Sequence, residues 1–371
     1  MFVENIIVGA GPAGLAMAAR FAKSKLSYLL LEQADTIVPK WFAHYDRLHL
    51  HTVKEFSSLP YIDFPEHYPQ YVSKFQLIEY YQNYINAFGI KPRYHSKVSS
   101  IQKQDDVWRL RTDTEEYTCN NVIIASGLNR IPRIPKWKGM EQFEGELMHA
   151  SGYKNAKPFV GKKILVVGMG NTGAELALDL AEHKIEVSIA LRSEVVIVPR
   201  DLFGRPVQLT ARKLDKLPFG LGDWIGSFSG KIAFGNLKKY GLPISTIAPT
   251  VLRREHGKTP TIDIGTVEKI KSGQITIKRG IQELANRKVV FDDGSEEVYD
   301  VLLLATGYTA SIDQFLITDG GCFIENGEPA FKIGSSQYKG LYFIGFEKHT
   351  YGGTLGTLIE ESELILSDII H

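Results

Sequence analysis

The chain has 371 residues, 44% of them hydrophobic and 23% charged, enough for about two compact domains and far from the composition of a disordered chain. Its 43 Lys plus Arg stand against 42 Asp plus Glu, a formal charge of +1 that offers no global field to a polyanion and argues against nucleic acid as a main partner. The only two cysteines, Cys119 and Cys322, exclude a disulfide framework, a CxxC redox pair and a cysteine zinc cluster, and suit a reducing cytoplasm.

An apolar strand pattern begins almost at Met1, without a charged leader region, and no run approaches the roughly 18 apolar residues of a membrane span. Neither secretion nor a transmembrane segment is expected. Residues 4–8 read as a short buried strand, followed by Gly9-Ala10-Gly11-Pro12-Ala13-Gly14 and an Ala-rich helix over 15–22. A divergent second copy runs through 163–167, then Gly168-Met169-Gly170-Asn171-Thr172-Gly173, then a helix to about 182. Further apolar strands at 27–31 and 186–191 complete two βαβ units. The fold class is α/β, with two Rossmann-like dinucleotide-binding domains, the second inserted in the first. The first is expected to take residues 1–157 plus 289–371, with Val298–Leu304 returning to complete its sheet, and the second 158–288. Residues 202–262, rich in Gly and Pro, read as an irregular, partly helical elaboration.

A glycine turn between a strand and a helix lets backbone N–H groups and the helix dipole receive a pyrophosphate. Two such turns in one chain form a specific signal. The residues at the tips of the second strands then divide the labour. Glu32 lies 18 residues beyond Gly14, where a carboxylate accepts both ribose hydroxyls of an adenosine without a 2′-phosphate, as in FAD or NAD(H). Arg192 lies 19 residues beyond Gly173, where a guanidinium forms a forked, charge-assisted partner for a 2′-phosphate, with Ser193 as a second donor. That fits NADPH, and because Ser193 is a single short donor, NADH remains open as a second reductant. A solvated surface arginine is the alternative for Arg192. Two dinucleotide sites in one chain imply hydride delivery from a nicotinamide to a flavin.

Phe143-Glu144-Gly145-Glu146-Leu147-Met148-His149-Ala150-Ser151-Gly152-Tyr153 fits FxGxxxHxxxY and, with Leu304-Ala305-Thr306-Gly307-Tyr308, resembles the flavin-dependent monooxygenases. Tyr45-Asp46-Arg47-Leu48-His49-Leu50-His51, the 257–266 segment GKTPTIDIGT and Lys269-Ile270-Lys271-Ser272-Gly273 resemble more narrowly the plant indole-3-pyruvate monooxygenases of the YUCCA family. The resemblance covers nearly the whole chain. It implies FAD held by Gly9, Gly11, Pro12, Ala13, Gly14, Glu32, Gln33 and Trp41, and NADPH held by Gly168, Gly170, Asn171, Thr172, Gly173, Arg192 and Ser193. It also implies that O2 adds to the reduced flavin at C4a and that retained NADP+ protects the hydroperoxide. A small-molecule substrate and O2 are the expected partners, with a homodimer left open.

His51 falls where animal-type members carry an asparagine beside the flavin, so a flavin-adjacent role stands against a packed structural histidine. His49 and His51, two apart on one strand face, could form a metal pair, but no third ligand lies nearby in sequence. Asn171, a short amide at a helix start, is read as functional; His149 and Tyr153 read as linker residues; Asp263 faces substrate or caps a helix. Most of the aromatics in Trp41-Phe42, Tyr61 to Tyr71 and Tyr80-Tyr81 are expected in the core, some of them open to a pocket role. Residues 202–262 carry ten Lys plus Arg against three Asp plus Glu, a solvated face or an attractor of anions. The segment from Gly352 onward resembles a helix whose start points at the flavin. The leading activity is oxygenation of a soft nucleophile, a sulfide or an amine, with decarboxylating oxidation of an aryl 2-oxo acid as the alternative within the class. A flavin reductase without oxygenation and a non-catalytic flavin-bound sensor are the competing classes.

Overall fold

The computed structural model describes residues 1–214, 230, 233–324, 327–347 and 353–371. The first strand, β1 (Asn5–Val8), is buried along its whole length, as a central strand of a parallel sheet covered on both faces must be. It runs straight into α1 (Pro12–Lys23), whose Pro12 occupies the first turn, where a missing N–H costs nothing. Residues 13–21 of α1 are buried, and the small Ala and Gly residues among them let the helix approach the sheet. Strand β2 (Leu29–Leu31) pairs in parallel with β1, Ile7 beside Leu30. Helix α2 (Pro39–Ala43) is a single short turn. Helix α3 (Lys74–Phe88) starts on a reciprocal capping box between Ser73 and Gln76 and stops at Gly89, whose φ of +62° ends it in the left-handed region.

Strands β3 (Val98–Gln104), β4 (Val107–Thr112) and β5 (Glu116–Cys119) form an antiparallel layer in which β4 alternates exposed and buried residues, with Trp108 and Leu110 turned inward. Strand β6 (Asn121–Ile124) then returns to the parallel sheet on the other side of β1, Ile123 beside Ile7.

The second compact unit opens with β7 (Glu146–His149) and β8 (Lys163–Val167), followed by α4 (Asn171–Glu182) and β9 (Glu186–Leu191). After β9 come a small hairpin, Asp201–Leu202 against Arg205–Pro206, and helices Val207–Leu214 and Pro249–His256. Of the elaboration expected over 202–262, Gly220, Gly222 and Gly226 lie outside the described residues. The chain continues through β10 (Thr261–Asp263), α5 (Thr266–Lys271), β11 (Ile275–Arg279) and β12 (Val301–Leu304). The unit's parallel sheet has the order β11-β9-β8-β12-β7.

Here the structure departs from the sequence reading. Val301–Leu304 does not complete the first sheet; it pairs with β8 and β7, Leu302 beside Leu165 and Leu147. The strand that completes the first sheet is β13 (Leu341–Phe343), parallel to β6 with Leu341 beside Val122, giving the order β2-β1-β6-β13. The C-terminal helix, α6 (Leu358–Ile370), packs on α1 in the same unit. The compact units comprise residues 1–44, 48–131 and 308–371 in one case and 45–47 and 132–307 in the other, so the second interrupts the first along the chain.

In the first unit Tyr68, Tyr80, Tyr81 and Tyr84 are buried together with Phe64 and Leu77, which makes these aromatics core. Arg20 is the polar clasp between α1 and α6. Its guanidinium donates to Ser362 Oγ at 3.2 Å, to Tyr61 Oη at 2.9 Å and to the Ile359 carbonyl at 3.0 Å, and pairs with Glu363. Satisfying several donors at once is what makes a buried arginine tolerable.

Candidate functional site

In the first unit, the glycines of the fingerprint divide into two kinds. Gly9 has φ +107°, and a side-chain carbon on it would fall 2.7 Å from the Ala125 carbonyl oxygen; one on Gly14 would fall 1.9 Å from the Gly9 carbonyl oxygen. The packing of β1, α1 and β6 demands glycine at both. Gly11 is different: its φ of −74° suits any residue, and a side-chain carbon there would meet nothing within 4 Å. Glycine is not needed at 11 to build the protein; what it provides is an open approach to the start of α1. Pro12 brings no N–H, so Ala13 and Gly14 present the first-turn donors that no helical carbonyl can reach.

Glu32, at the tip of β2, is buried yet polar. Its carboxylate accepts the Ala10 N–H at 2.7 Å and the Ala34 N–H at 2.9 Å, one on each oxygen. A carboxylate offers about four acceptor positions, so each oxygen keeps one for a ligand hydroxyl. Beside Gly9, Ser126 Oγ is buried and without a hydrogen-bond partner among the described residues. These are features that an adenosine diphosphate moiety fits: an open glycine, free first-turn donors, a fixed carboxylate and an orphaned hydroxyl. Gln33 is exposed, and Trp41 is half-buried in α2, packed against the core with its ring 6.5 Å from that of Tyr81.

The second unit repeats the arrangement. Gly168 has φ +99°, and a side-chain carbon on it would lie 2.9 Å from the Ala305 carbonyl oxygen; on Gly173 it would lie 2.1 Å from that of Gly168. Gly170 again has an ordinary φ of −74° and nothing within 4 Å. Ala305, after β12, stands to Gly168 as Ala125, after β6, stands to Gly9. Thr172 lies half-buried in the first turn of α4. Arg192 and Ser193 are exposed just past the tip of β9.

Asn171 has a structural duty that its sequence context did not reveal: its Oδ1 accepts the Ile262 N–H at 2.8 Å, tying α4 to β10. Its amide NH2 remains the group that can face a ligand. Thr261 and Thr266, which the sequence reading passed over, reinforce the tie by donating to the Met169 and Ala174 carbonyls at 2.5 and 2.9 Å. Of the two readings of Asp263, the structure shows the cap: it accepts the Gly265 and Val267 N–H groups at the start of α5. Burial holds its carboxyl above the usual range.

His149 and Tyr153 both bond within the second unit. His149 Nδ1 accepts the Ser151 N–H at 3.1 Å, which leaves the proton on Nε2 to donate to the Gly307 carbonyl at 3.1 Å. Tyr153, fully buried, donates to Asp179 Oδ2 at 2.5 Å and stacks on Phe159. Arg47 also reaches Asp179, at 3.4 Å, and Glu182 at 2.8 Å.

His51 lies half-buried in a bend of the first unit. The next residue, Thr52, shares a 2.6 Å hydrogen bond with Ser57, and its methyl lies 3.8 Å from where a side-chain carbon on Gly353 would be. Gly352, named as the start of the helix aimed at the flavin, is outside the described residues. Among the described residues no group of three or more His, Cys, Asp or Glu is placed to hold a metal ion. Cys119 and Cys322 are both buried, and burial pushes both thiols up, away from the reactive thiolate. No described helix is long and apolar enough to cross a membrane.

Residues 6–201 match the family described as pyridine nucleotide-disulphide oxidoreductase. The chain is 37% identical over 369 residues to the probable indole-3-pyruvate monooxygenase YUCCA3 of Arabidopsis thaliana, covering 95% of this chain and 84% of the relative. Among solved structures it superposes on the flavin-containing monooxygenase from Stenotrophomonas maltophilia with a TM-score of 0.75 at 16% identity, over 100% of this chain and 98% of that one. An oxidized steroid monooxygenase bound to NADP gives a TM-score of 0.76 at 17% identity, over 99% and 84% of the two chains. The structural likenesses speak for the fold and the sequence identity for the branch: this chain belongs to the flavin-dependent monooxygenases of the pyridine nucleotide-disulphide oxidoreductase family, alongside the YUCCA-type indole-3-pyruvate monooxygenases.

Proposed function

We propose that FAD binds at the Gly9–Gly14 turn with its adenosine ribose on Glu32, that NADPH binds at the Gly168–Gly173 turn with its 2′-phosphate on Arg192 and Ser193, and that the enzyme spends one NADPH and one O2 per turnover on a small organic substrate. The observation that carries this reading is the pair Gly11 and Gly170, each a glycine that the chain's own packing does not require, each opening the start of a helix to a pyrophosphate. The opposite charges at the two strand tips then divide the sites between an unphosphorylated and a phosphorylated adenosine. FAD, when bound, supplies the hydride-accepting and oxygen-activating ring.

The chain's own residues have correspondingly limited tasks. Glu32, anchored by the Ala10 and Ala34 N–H groups, orients a ribose without having to be ordered on binding. Asn171, held by Ile262, keeps its NH2 pointed from a fixed amide plane. His51 is assigned a hydrogen bond close to the reacting ring, where it excludes water and delays release of peroxide. Gln33 and Trp41 flank the adenosine side of the FAD site. Burial of both cysteines speaks against a disulfide-reducing reaction.

For the substrate, identity of 37% along 95% of the chain favours an aryl 2-oxo acid of the indole-3-pyruvate kind. In that reaction one oxygen atom of O2 enters the acid product, the bond to the carboxylate breaks to give CO2, and the other oxygen leaves as water with the reducing equivalents of NADPH. Oxygenation of a sulfide or amine consumes the same NADPH and O2 but releases no CO2. The test is NADPH and O2 consumption over a panel of sulfides, amines, ketones and indole-3-pyruvate, with product identification. One CO2 per NADPH with the 2-oxo acid supports the first substrate class, and sulfoxide or N-oxide formation without CO2 supports the second. A yellow protein that oxidises NADPH without oxygenating any member of the panel would overturn the monooxygenase reading.

A further inference from the structure

Gly280, immediately after β11, adjoins two residues, Arg192 and Asp292, that sequence alone would not bring together. A side-chain carbon built on it would lie 2.2 Å from Asp292 Oδ2 and 3.3 Å from the Cα of Arg192. The register explains this: Leu191 pairs with Arg279 across β9 and β11, which puts Arg192 next to Gly280. Asp292 is held there by its own N–H, which donates to the Gly280 carbonyl at 2.8 Å, in a turn closed by the Gly294 N–H on the Phe291 carbonyl. Both residues are exposed at the rim of the sheet, and among the described residues no side-chain hydrogen bond or ion pair engages either one. The Asp292 carboxylate and the backbone of Arg192 therefore meet beside a bare glycine, at the strand tip where a βαβ unit receives the adenosine ribose.

We propose that Asp292 is a second cofactor-selecting residue, which accepts the adenosine ribose hydroxyls of NADH where Arg192 takes the 2′-phosphate of NADPH, so that one site serves both reductants. The inference rests on the placement of the pyridine dinucleotide at the Gly168–Gly173 turn. A carboxylate at this position does two things. It is the acceptor that two free ribose hydroxyls need, the part that Glu32 is given in the first unit. It also repels a 2′-phosphate, so it weakens NADPH while it strengthens NADH. Gly280 keeps the carboxylate at this spot, since any side chain at 280 would displace it.

The test uses FAD-loaded enzyme and two readouts: dissociation constants of NADP+ and NAD+ by titration calorimetry, and kcat/KM for NADPH and NADH. With Asp292→Asn, NAD+ affinity and NADH kcat/KM are expected to fall about tenfold, the scale of one charge-assisted hydrogen bond, while NADP+ binding tightens. Gly280→Ala keeps the acid but moves it, and is expected to shift the NADP+ to NAD+ preference the same way. An unchanged preference in both variants, or an equal loss with both cofactors, overturns the role of Asp292. The Arg192→Ala control separates this failure from that of the underlying site: if it leaves NADP+ affinity untouched, the dinucleotide placement itself is wrong, whereas selective loss of NADP+ with a neutral Asp292→Asn refutes only the role of Asp292.

Discussion

The Gly9 carbonyl oxygen occupies the space that a side chain on Gly14 would need, 1.9 Å from where its first carbon would be. Nothing comparable surrounds Gly11, three residues earlier in the same turn. The two glycines therefore fail differently when replaced. Gly14→Val is expected to give insoluble or unfolded protein, because the obstructing atom is backbone and cannot swing aside. Gly11→Val is expected to fold, with a melting temperature close to that of the parent stripped of flavin, but to be colourless. The flavin absorbance and a thermal melt read both outcomes, and stoichiometric FAD on folded Gly11→Val would contradict the assignment of the first site. Gly170→Val should likewise fold and keep its yellow colour while losing NADP+ binding.

Glu297 gives the second unit an acid-sensitive element. Although partial burial opposes its charge, hydrogen bonds from Lys163, Lys278 and Tyr299 hold its carboxyl down at about 2. A carboxylate depressed in the folded state stabilises above its unfolded pKa, near 4.5, and that contribution disappears as pH falls toward 2. Because the side chain is 25% exposed, its worth is discounted to about 1–2 kcal/mol. Glu297→Gln should be less stable than the parent at pH 7 in urea melts, with the gap narrowing between pH 4.5 and 2. A constant gap across that range would show that the network contributes packing rather than charge.

Buried thiols with raised pKa behave as small apolar side chains. The Cys119→Ala, Cys322→Ala double variant is expected to keep substrate-linked NADPH oxidation within about twofold of the parent, at some cost in stability for two shrunken core side chains. Loss of flavin re-oxidation in a variant that still melts cooperatively would reopen the reductase class.

His51→Leu addresses the proposed oxygen-handling role. Anaerobic bleaching by NADPH should be near normal, whereas hydrogen peroxide released per NADPH in air should rise at least severalfold. Unchanged coupling would return His51 to the structural histidines, with the loop around Thr52 and Ser57 as its reason for being there.

What was legible in the sequence was local. Each strand-glycine-helix unit is encoded within about 30 residues, and the charges of Glu32 and Arg192 stand at fixed offsets from their turns. Sheet membership is not local: Val301-Leu302-Leu303-Leu304 is a uniformly apolar run that any buried parallel strand would carry, and it names no neighbours. Its place between β8 and β7 follows from three-dimensional packing, as does the choice of β13 to close the first sheet. The candidate site shows the same division. Asp292 reads in sequence as part of an ordinary Asp-Asp-Gly turn, and only the register of β9 with β11 brings it to Arg192. Asn171 offered no sign of its bond to Ile262, 91 residues away. Asp263 was ambiguous because a side chain that caps a helix and one that meets a ligand are the same residue type at the same kind of position.

The clasp between Arg20 and α6 bears on how the chain is made. α1 is synthesised well before the residues 358–370 that pack on it, and the first sheet lacks β13 until residue 343. All of the second unit's residues, by contrast, have been synthesised once Gly307 is added. Vectorial synthesis thus inverts the order of the blueprint: the interrupting unit can reach its native packing while the unit it interrupts still waits for its last strand and helix. Through that interval the nascent chain carries a first sheet without β13 and an α1 without the helix that packs on it, apolar surface that a chaperone can hold.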